Sequence, residues 1–213
     1  MITGGTSVTP IRRVDANLAD AELPTQPRRD DIMAMPVKVQ RYTVDEIESW
    51  PADGNRYELL DGFLLVTPGP GSPHQVVATR IASFLLSCVE ESTNLWVTAP
   101  GVIIRRPTTE LIPDVLVFRA PGPPPKWDKV REHLLAVEVE SPSTRRYDQD
   151  SKRPAYFPLG VAQVWRVVTD DRAIWVSDGA AEERCHRAPF HWVPPGLDRS
   201  FLVPVSDFFR GLD

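Results

Sequence analysis

The stretch VEVESPSTRRYDQDSK, residues 137–152, alternates valine with glutamate, turns through Ser-Pro-Ser-Thr and runs into a charged segment ending in Lys152. Side chains on a strand point alternately to opposite faces. Val137 and Val139 therefore share one face and Glu138 and Glu140 the other, with their Cα atoms about 7 Å apart. A carboxylate in an otherwise apolar strand is expensive to bury without a partner. Glu138 either reaches solvent at a sheet edge, as on a half-exposed antiparallel strand, or has neighbours that hold its charge. This stretch alone leaves both readings open.

Working outward, LLAVEVE (134–140) reads as a strand, and Ser143 or Thr144 caps a helix that runs to about Leu159. VAQVWRVV (161–168) and AIWVSDG (173–179), split by TDDR, form a hairpin, and FLVPVSDFF (201–209) closes the pattern. Upstream, VIIRR (102–106) and DVLVF (114–118) are strand-like and joined by PTTELIP, which reads as a tight turn; the proline-rich RAPGPPPKWDKVREH (119–133) is too long for one. Residues 69–91 carry Ser72 as N-cap, Pro73 at the first helical position and Gln75 completing the cap. Val77, Ile81, Phe84, Leu85 and Cys88 then build one apolar stripe. RYELLDGFLLV (56–66) places Asp61-Gly62 between two apolar runs, the signature of a two-residue hairpin turn. In YTVDEIESW (42–50), Thr43 and Glu46 form a capping box. Helices and strands mix without strict alternation, so the expected class is α/β: a mixed central sheet flanked by helices, with an N-terminal helix and hairpin.

The 213 residues suffice for one domain with a real core. Residues 1–40 mix Pro, Thr, Asp and Arg without periodicity, which predicts a solvated tail ahead of a single domain over 41–213. No apolar run reaches the length of a membrane helix and none follows the early basic residues as in a secretory signal, so a cytoplasmic location is expected. Two cysteines exclude a cysteine-based zinc site. A formal charge of −5 argues against a nonspecific nucleic-acid binder.

Asp114 opens an apolar strand, and if that strand pairs with 134–140 its carboxylate approaches that of Glu138. Two such carboxylates suit a hard divalent cation, since magnesium is often held by one or two carboxylates plus waters and substrate phosphates. His74, at the second helical position after Ser72, lies where the helix dipole disfavours the imidazolium; a capping-region residue and an active-site residue are equally good readings of it. His133, His186 and His191 follow no metal-ligand spacing and read as structural.

RYELLDG, then SPH opening a helix, then PDVLV, VEVESPST, a D-x-x-x-K step and GVAQVWRV occur in an order and spacing that resembles the Uma family of restriction endonuclease-like proteins, within the PD-(D/E)xK nuclease superfamily. The resemblance runs from about Tyr42 to Val176. It implies a restriction-endonuclease-like core and a metal-dependent endonuclease acting on DNA with magnesium or manganese. On matching positions, Asp114 and Glu138 become the metal ligands, Lys152 the catalytic lysine and Glu58 an additional acid from the N-terminal part of the fold. The lysine of the superfamily at large stands two residues after the second acid, where this chain has Glu140.

Pro154 falls inside the helix that carries Lys152; such a proline removes a donor, clashes with the preceding turn and costs about 3 kcal/mol in a helix interior. The expectation is a kink that could turn Lys152 away and leave a catalytically impaired module that binds nucleic acid or a protein partner. Hydrolysis of another phosphate ester is a third reading. Arg145, Arg146, Lys152 and Arg153, with Arg105 and Arg106 one strand away, suggest a locally positive field despite the total charge. A homodimer is compatible with cutting both strands of a duplex, although no residue pattern marks an interface.

Overall fold

The computed structural model describes residues 39–89, 92, 94–140, 145–179, 182–195 and 197–212, so the tail and the Ser143/Thr144 cap lie outside the described residues. Within Gln40–Asp213 the first helix, α1 (Val44–Glu48), carries the full capping box. Thr43 Oγ1 accepts from the Glu46 amide, and the Glu46 carboxylate accepts from the Thr43 amide at 2.6 Å. Strands β1 (Asn55–Leu60) and β2 (Phe63–Pro68) then form the expected hairpin. Asp61 and Gly62 both adopt positive φ, 51° and 83°, as a primed two-residue turn demands.

Helix α2 (Ser72–Val89) starts one residue earlier than its cap signal: the Gly71 carbonyl already accepts from the Gln75 amide, and Pro73 sits in the first turn, where a missing N–H costs nothing. Its predicted stripe is the buried one, with Val77, Ile81 and Leu85 fully enclosed, each contributing about 1.5–3 kcal/mol by leaving water. Burial also pushes the Cys88 thiol up to about 11, so it packs as a small hydrophobe.

The segment after α2 departs from the sequence reading. Beyond β3 (Leu95–Thr98) and β4 (Ile103–Arg105), the PTTELIP stretch contains its own strand, β5 (Thr109–Leu111), which folds back on β4 and also pairs with β1. It is not a tight turn between 102–106 and 114–118: β4 and β6 (Val115–Arg119) belong to different sheets. Leu111 is the reason, since its fully buried side chain anchors a three-residue strand that flanking prolines keep too short to show periodicity.

Three more strands follow: β7 (Glu132–Glu140), β8 (Val161–Val168) and β9 (Ala173–Ser177). With β10 (Glu183–His186) they complete a six-stranded mixed sheet ordered β10-β9-β8-β7-β6-β3, antiparallel except for the central β7–β8 pair. β1, β2, β4 and β5 form a second sheet, and β11 (Phe190–Trp192) with β12 (Phe201–Val203) a small ribbon. One face of the central sheet, with Val137, Val139 and Trp165, packs on α2 and on Val205 and Phe208 of α5 (Val205–Phe208). The other, with Leu116, Ala136 and Val164, packs on Ile103 and Leu111 of the second sheet and on Tyr156. Glu138 and Glu140 lie on this second face, in the interior.

The parallel β7–β8 pair requires a crossover connection. Its described part is helical in three steps: α3 (Arg145–Tyr147), a wide π turn over Asp148–Lys152, and α4 (Arg153–Tyr156). The Arg153 amide reaches back to the Asp148 carbonyl, five residues away, and Pro154 falls in the first turn of α4. The π turn thus resolves the proline conflict: the chain restarts its helix so that the absent N–H falls in a first turn. No helix among the described residues is long and apolar enough to cross a membrane.

Candidate active site

β6 and β7 pair antiparallel with Val115 opposite Val137, so Asp114, one residue before β6, falls beside Glu138 at the end of the ladder. The Asp114 Oδ2 accepts the Val139 amide at 2.9 Å, which ties the carboxylate to β7. Glu138 is 3% exposed and Glu140 1%. The solvent-edge reading of the two glutamates is therefore wrong: β7 is an inner strand whose second face is covered by the other sheet and the crossover helix.

Lys152 answers for the charge of Glu138. Its Nζ lies 2.7 Å from Glu138 Oε1, 2.9 Å from Glu58 Oε1 and 3.9 Å from Asp148 Oδ1, with the side chain 2% exposed. Pro154 does not turn it away, because the π turn directs Lys152 and Asp148 into the protein together. Glu58 arrives from β1 by strand alternation, and its Oε1 also accepts the Ile112 amide at 2.7 Å. Tyr156, one turn past Lys152 and fully buried, donates its hydroxyl hydrogen to Glu138 Oε1.

His74, from the first turn of α2, sits with Nε2 3.0 Å from Asp114 Oδ2, and Arg56 Nη1 stands 3.1 Å from Asp114 Oδ1. The five sequence-predicted residues, Glu58, His74, Asp114, Glu138 and Lys152, thus come together in one largely buried cluster. His74 is held against Asp114 rather than only packing beside the hairpin. Arg56 and Tyr156 join them without having been singled out. Arg56 was legible, since it shares the Glu58 face of β1 at a spacing of two; Tyr156 gave no such local signal, because its partner Glu138 lies on another element.

The electrostatics follow from crowding. Burial pushes the Glu138 carboxyl well above its ordinary range; the Lys152 charge opposes this, while Asp148, Asp114 and Glu58 add to it. Burial alone would lower the Lys152 ammonium, but Glu138, then Glu58 and Asp148, outweigh it and hold the proton firmly. Asp114 lies below its usual range although burial pushes it up, because the His74 hydrogen bond, the Val139 amide and Arg56 prevail. For Arg56 burial likewise works against the charge, and Asp114 outweighs it. Burial, then Glu138 and Glu58, keeps the Tyr156 phenol un-ionised.

Glu140, where a lysine would complete the commoner spacing, serves a separate network. Arg166, its near neighbour from β8, hydrogen-bonds Glu140 through Nη1 and Glu183 through Nε and Nη2. Arg145 Nε lies 3.5 Å from Glu140, and Arg153 reaches Glu183. Of the basic cluster read from the sequence, Lys152 is buried on acids, Arg145 and Arg153 are held by acids, and Arg106 is clamped by Asp45 and Glu48 of α1, whereas Arg146 is exposed and Arg105 donates to the Ile104 and Leu159 carbonyls. His133 lies buried apart from the pocket, its pKa lowered to about 4 by burial, with Arg105 and Arg131 adding.

Among the described residues no three His, Cys, Asp or Glu side chains form a ready-made metal cage. The donor set nonetheless fits a hard divalent cation. Asp114 and Glu138 match in kind and number the one or two carboxylates that magnesium commonly takes from protein, with water and phosphate completing its shell. Four carboxylates, Glu58, Asp114, Glu138 and Asp148, also face two permanent cations, Arg56 and Lys152, so negative charge is in surplus where Glu138 already resists ionising.

Comparison with known proteins bears on the family and the fold. The Uma2 family, described as "Putative restriction endonuclease", matches residues 44–191. No curated protein gives a significant match. Among solved structures, a "putative nuclease belonging to DUF820" from Anabaena variabilis superposes with a TM-score of 0.61 at 17% identity, covering 78% of this chain and 97% of that one. At that identity the likeness speaks for the fold, which is that of a restriction-endonuclease-like nuclease.

Proposed function

The chain belongs to the Uma2 family of restriction endonuclease-like proteins, and from that premise we propose that it is a magnesium- or manganese-dependent endonuclease hydrolysing phosphodiester bonds in DNA. Asp114 and Glu138 hold the cation; when bound, it neutralises phosphate charge and acidifies water. The observation that carries the reading is the meeting of Lys152 with Glu138 and Glu58 at 2.7 and 2.9 Å beside Asp114, from four separate elements.

Lys152 is held as an ammonium and so cannot take a proton from water. It acts by donating, orienting the attacking water or stabilising charge that develops on the phosphate. Glu58 and the Tyr156 hydroxyl fix Lys152 and Glu138 in place. His74 and the Val139 amide orient the Asp114 carboxylate, in the way hydrogen-bond partners behind metal ligands commonly do.

One observation favours the alternative of an inactive binding module: Asp114 is engaged on both oxygens, by Arg56, His74 and a backbone amide. Incubation of supercoiled plasmid with Mg2+ or Mn2+ and with EDTA separates the two. The endonuclease nicks or linearises DNA only with metal, and Glu138→Ala and Lys152→Ala abolish this. An intact plasmid with every divalent ion, together with DNA binding unchanged in Asp114→Asn, would establish the module instead.

A further inference from the structure

A carboxylate offers about four lone-pair sites, two on each oxygen. On Asp114, Oδ2 is filled, by His74 Nε2 at 3.0 Å and the Val139 amide at 2.9 Å. Oδ1 has Arg56 Nη1 at 3.1 Å, and a cation binding Asp114 must enter there, against a like charge. Arg56 is tethered only lightly, since its other contact, to the Ile112 carbonyl, is 3.4 Å long. It is also the more exposed of the pocket's two permanent cations: its side chain is 21% exposed, against 2% for Lys152. Lys152 is locked inside, whereas Arg56 stands between Asp114 and solvent.

We infer that Arg56 is an exchangeable phosphate clamp: it neutralises Asp114 in the resting protein, yields Oδ1 to the incoming cation, and turns its guanidinium to the phosphate that arrives with it. The inference rests on the endonuclease reading above and adds a substrate-binding residue to it. The chemistry suits the role, because a guanidinium presents paired donors that match a phosphate and keeps its charge throughout. Its position one alternation from Glu58 on β1 keeps it anchored to the same strand that braces Lys152. Because Arg56 stays beside the site, a dication and a monoanionic phosphodiester together add one positive charge, which the surplus of carboxylates there can take up.

The test measures two quantities that a purely structural arginine would not move in opposite directions. Mn2+ binding to the DNA-free full chain is followed by calorimetry, and KM for plasmid cleavage is measured separately, in wild type, Arg56→Gln and Arg56→Lys, each checked for native circular dichroism. Removing the competing charge tightens Mn2+ binding about tenfold, the order expected of a like charge lost beside a partly buried site. Losing the clamp raises KM for DNA about tenfold, as for one charge-assisted contact. Arg56→Lys keeps wild-type Mn2+ affinity and recovers part of the KM, which also covers the case in which Arg56→Gln misfolds. If wild type takes up no Mn2+, the metal site itself falls, and this inference with it. If wild type binds Mn2+ but Arg56→Gln binds it no more tightly, or KM does not change, the clamp is refuted and the metal site stands.

Discussion

Replacing Lys152 by methionine keeps much of the volume of the side chain and removes its charge from beneath three carboxylates. The lysine is 2% exposed and touches Glu138 and Glu58 at 2.7 and 2.9 Å. Removing one partner from a buried ion pair costs about 3–5 kcal/mol, because the other charge stays behind unpaired. For a domain of this size that lowers the melting temperature by about 6–20 °C. The pH dependence sharpens the expectation. Glu138 already has its folded-state carboxyl raised by burial, with Lys152 opposing the rise; without Lys152 it rises further. A carboxyl whose folded pKa exceeds its unfolded value lends stability that is fully present below the unfolded pKa and lost as pH rises through the folded one. The deficit of Lys152→Met is therefore smallest near about pH 4.5, where carboxyls take up protons, and widest at neutral pH and above. Urea denaturation followed by circular dichroism across that range measures it. Glu138→Gln in the same background should return part of the loss. A deficit below about 1 kcal/mol, the range of an exposed pair, or one unchanged with pH, would show that the lysine is not what holds these acids.

Glu140→Lys rebuilds the commoner motif spacing but places a cation against Arg166 and Arg145; it should destabilise the fold and fail to restore cleavage to Lys152→Ala, as thermal melting and a nicking assay would show. Glu110 has its pKa raised to about 7, by burial first and then by Glu48, so its contribution is complete below about pH 4.5 and fades as pH rises through 7. Glu110→Gln should flatten the stability profile over that interval in denaturation at stepped pH, and a profile identical to wild type would refute the assignment.

The sequence announces some of these elements and conceals others for physical reasons. The capping box of α1, the Asp61-Gly62 turn and the stripe of α2 are local signals, complete within a few residues, and all three stand in the structure. Strands β3 and β5 are three or four residues long, below the length at which alternation shows, and are held by distant partners such as Leu59. The acids and the lysine of the pocket were readable because strand alternation and motif order point to them. That Pro154 would spare Lys152 was not readable: a regular helix makes the proline a defect, and only the π turn, a five-residue detour with no sequence signature of its own, makes it a restart. Tyr156 shares that obscurity, since its partner Glu138 lies eighteen residues back across a strand and a turn.

The pocket draws on Arg56 and Glu58 near one end of the domain and on Lys152 and Tyr156 a hundred positions later. A nascent chain has no working centre until the crossover after β7 has been made and laid against the hairpin, and a truncated product ending before it has none at all. The late arrival of the ammonium thus makes this cluster of charges a property of the completed crossover, since neither the hairpin nor β7 can assemble it alone.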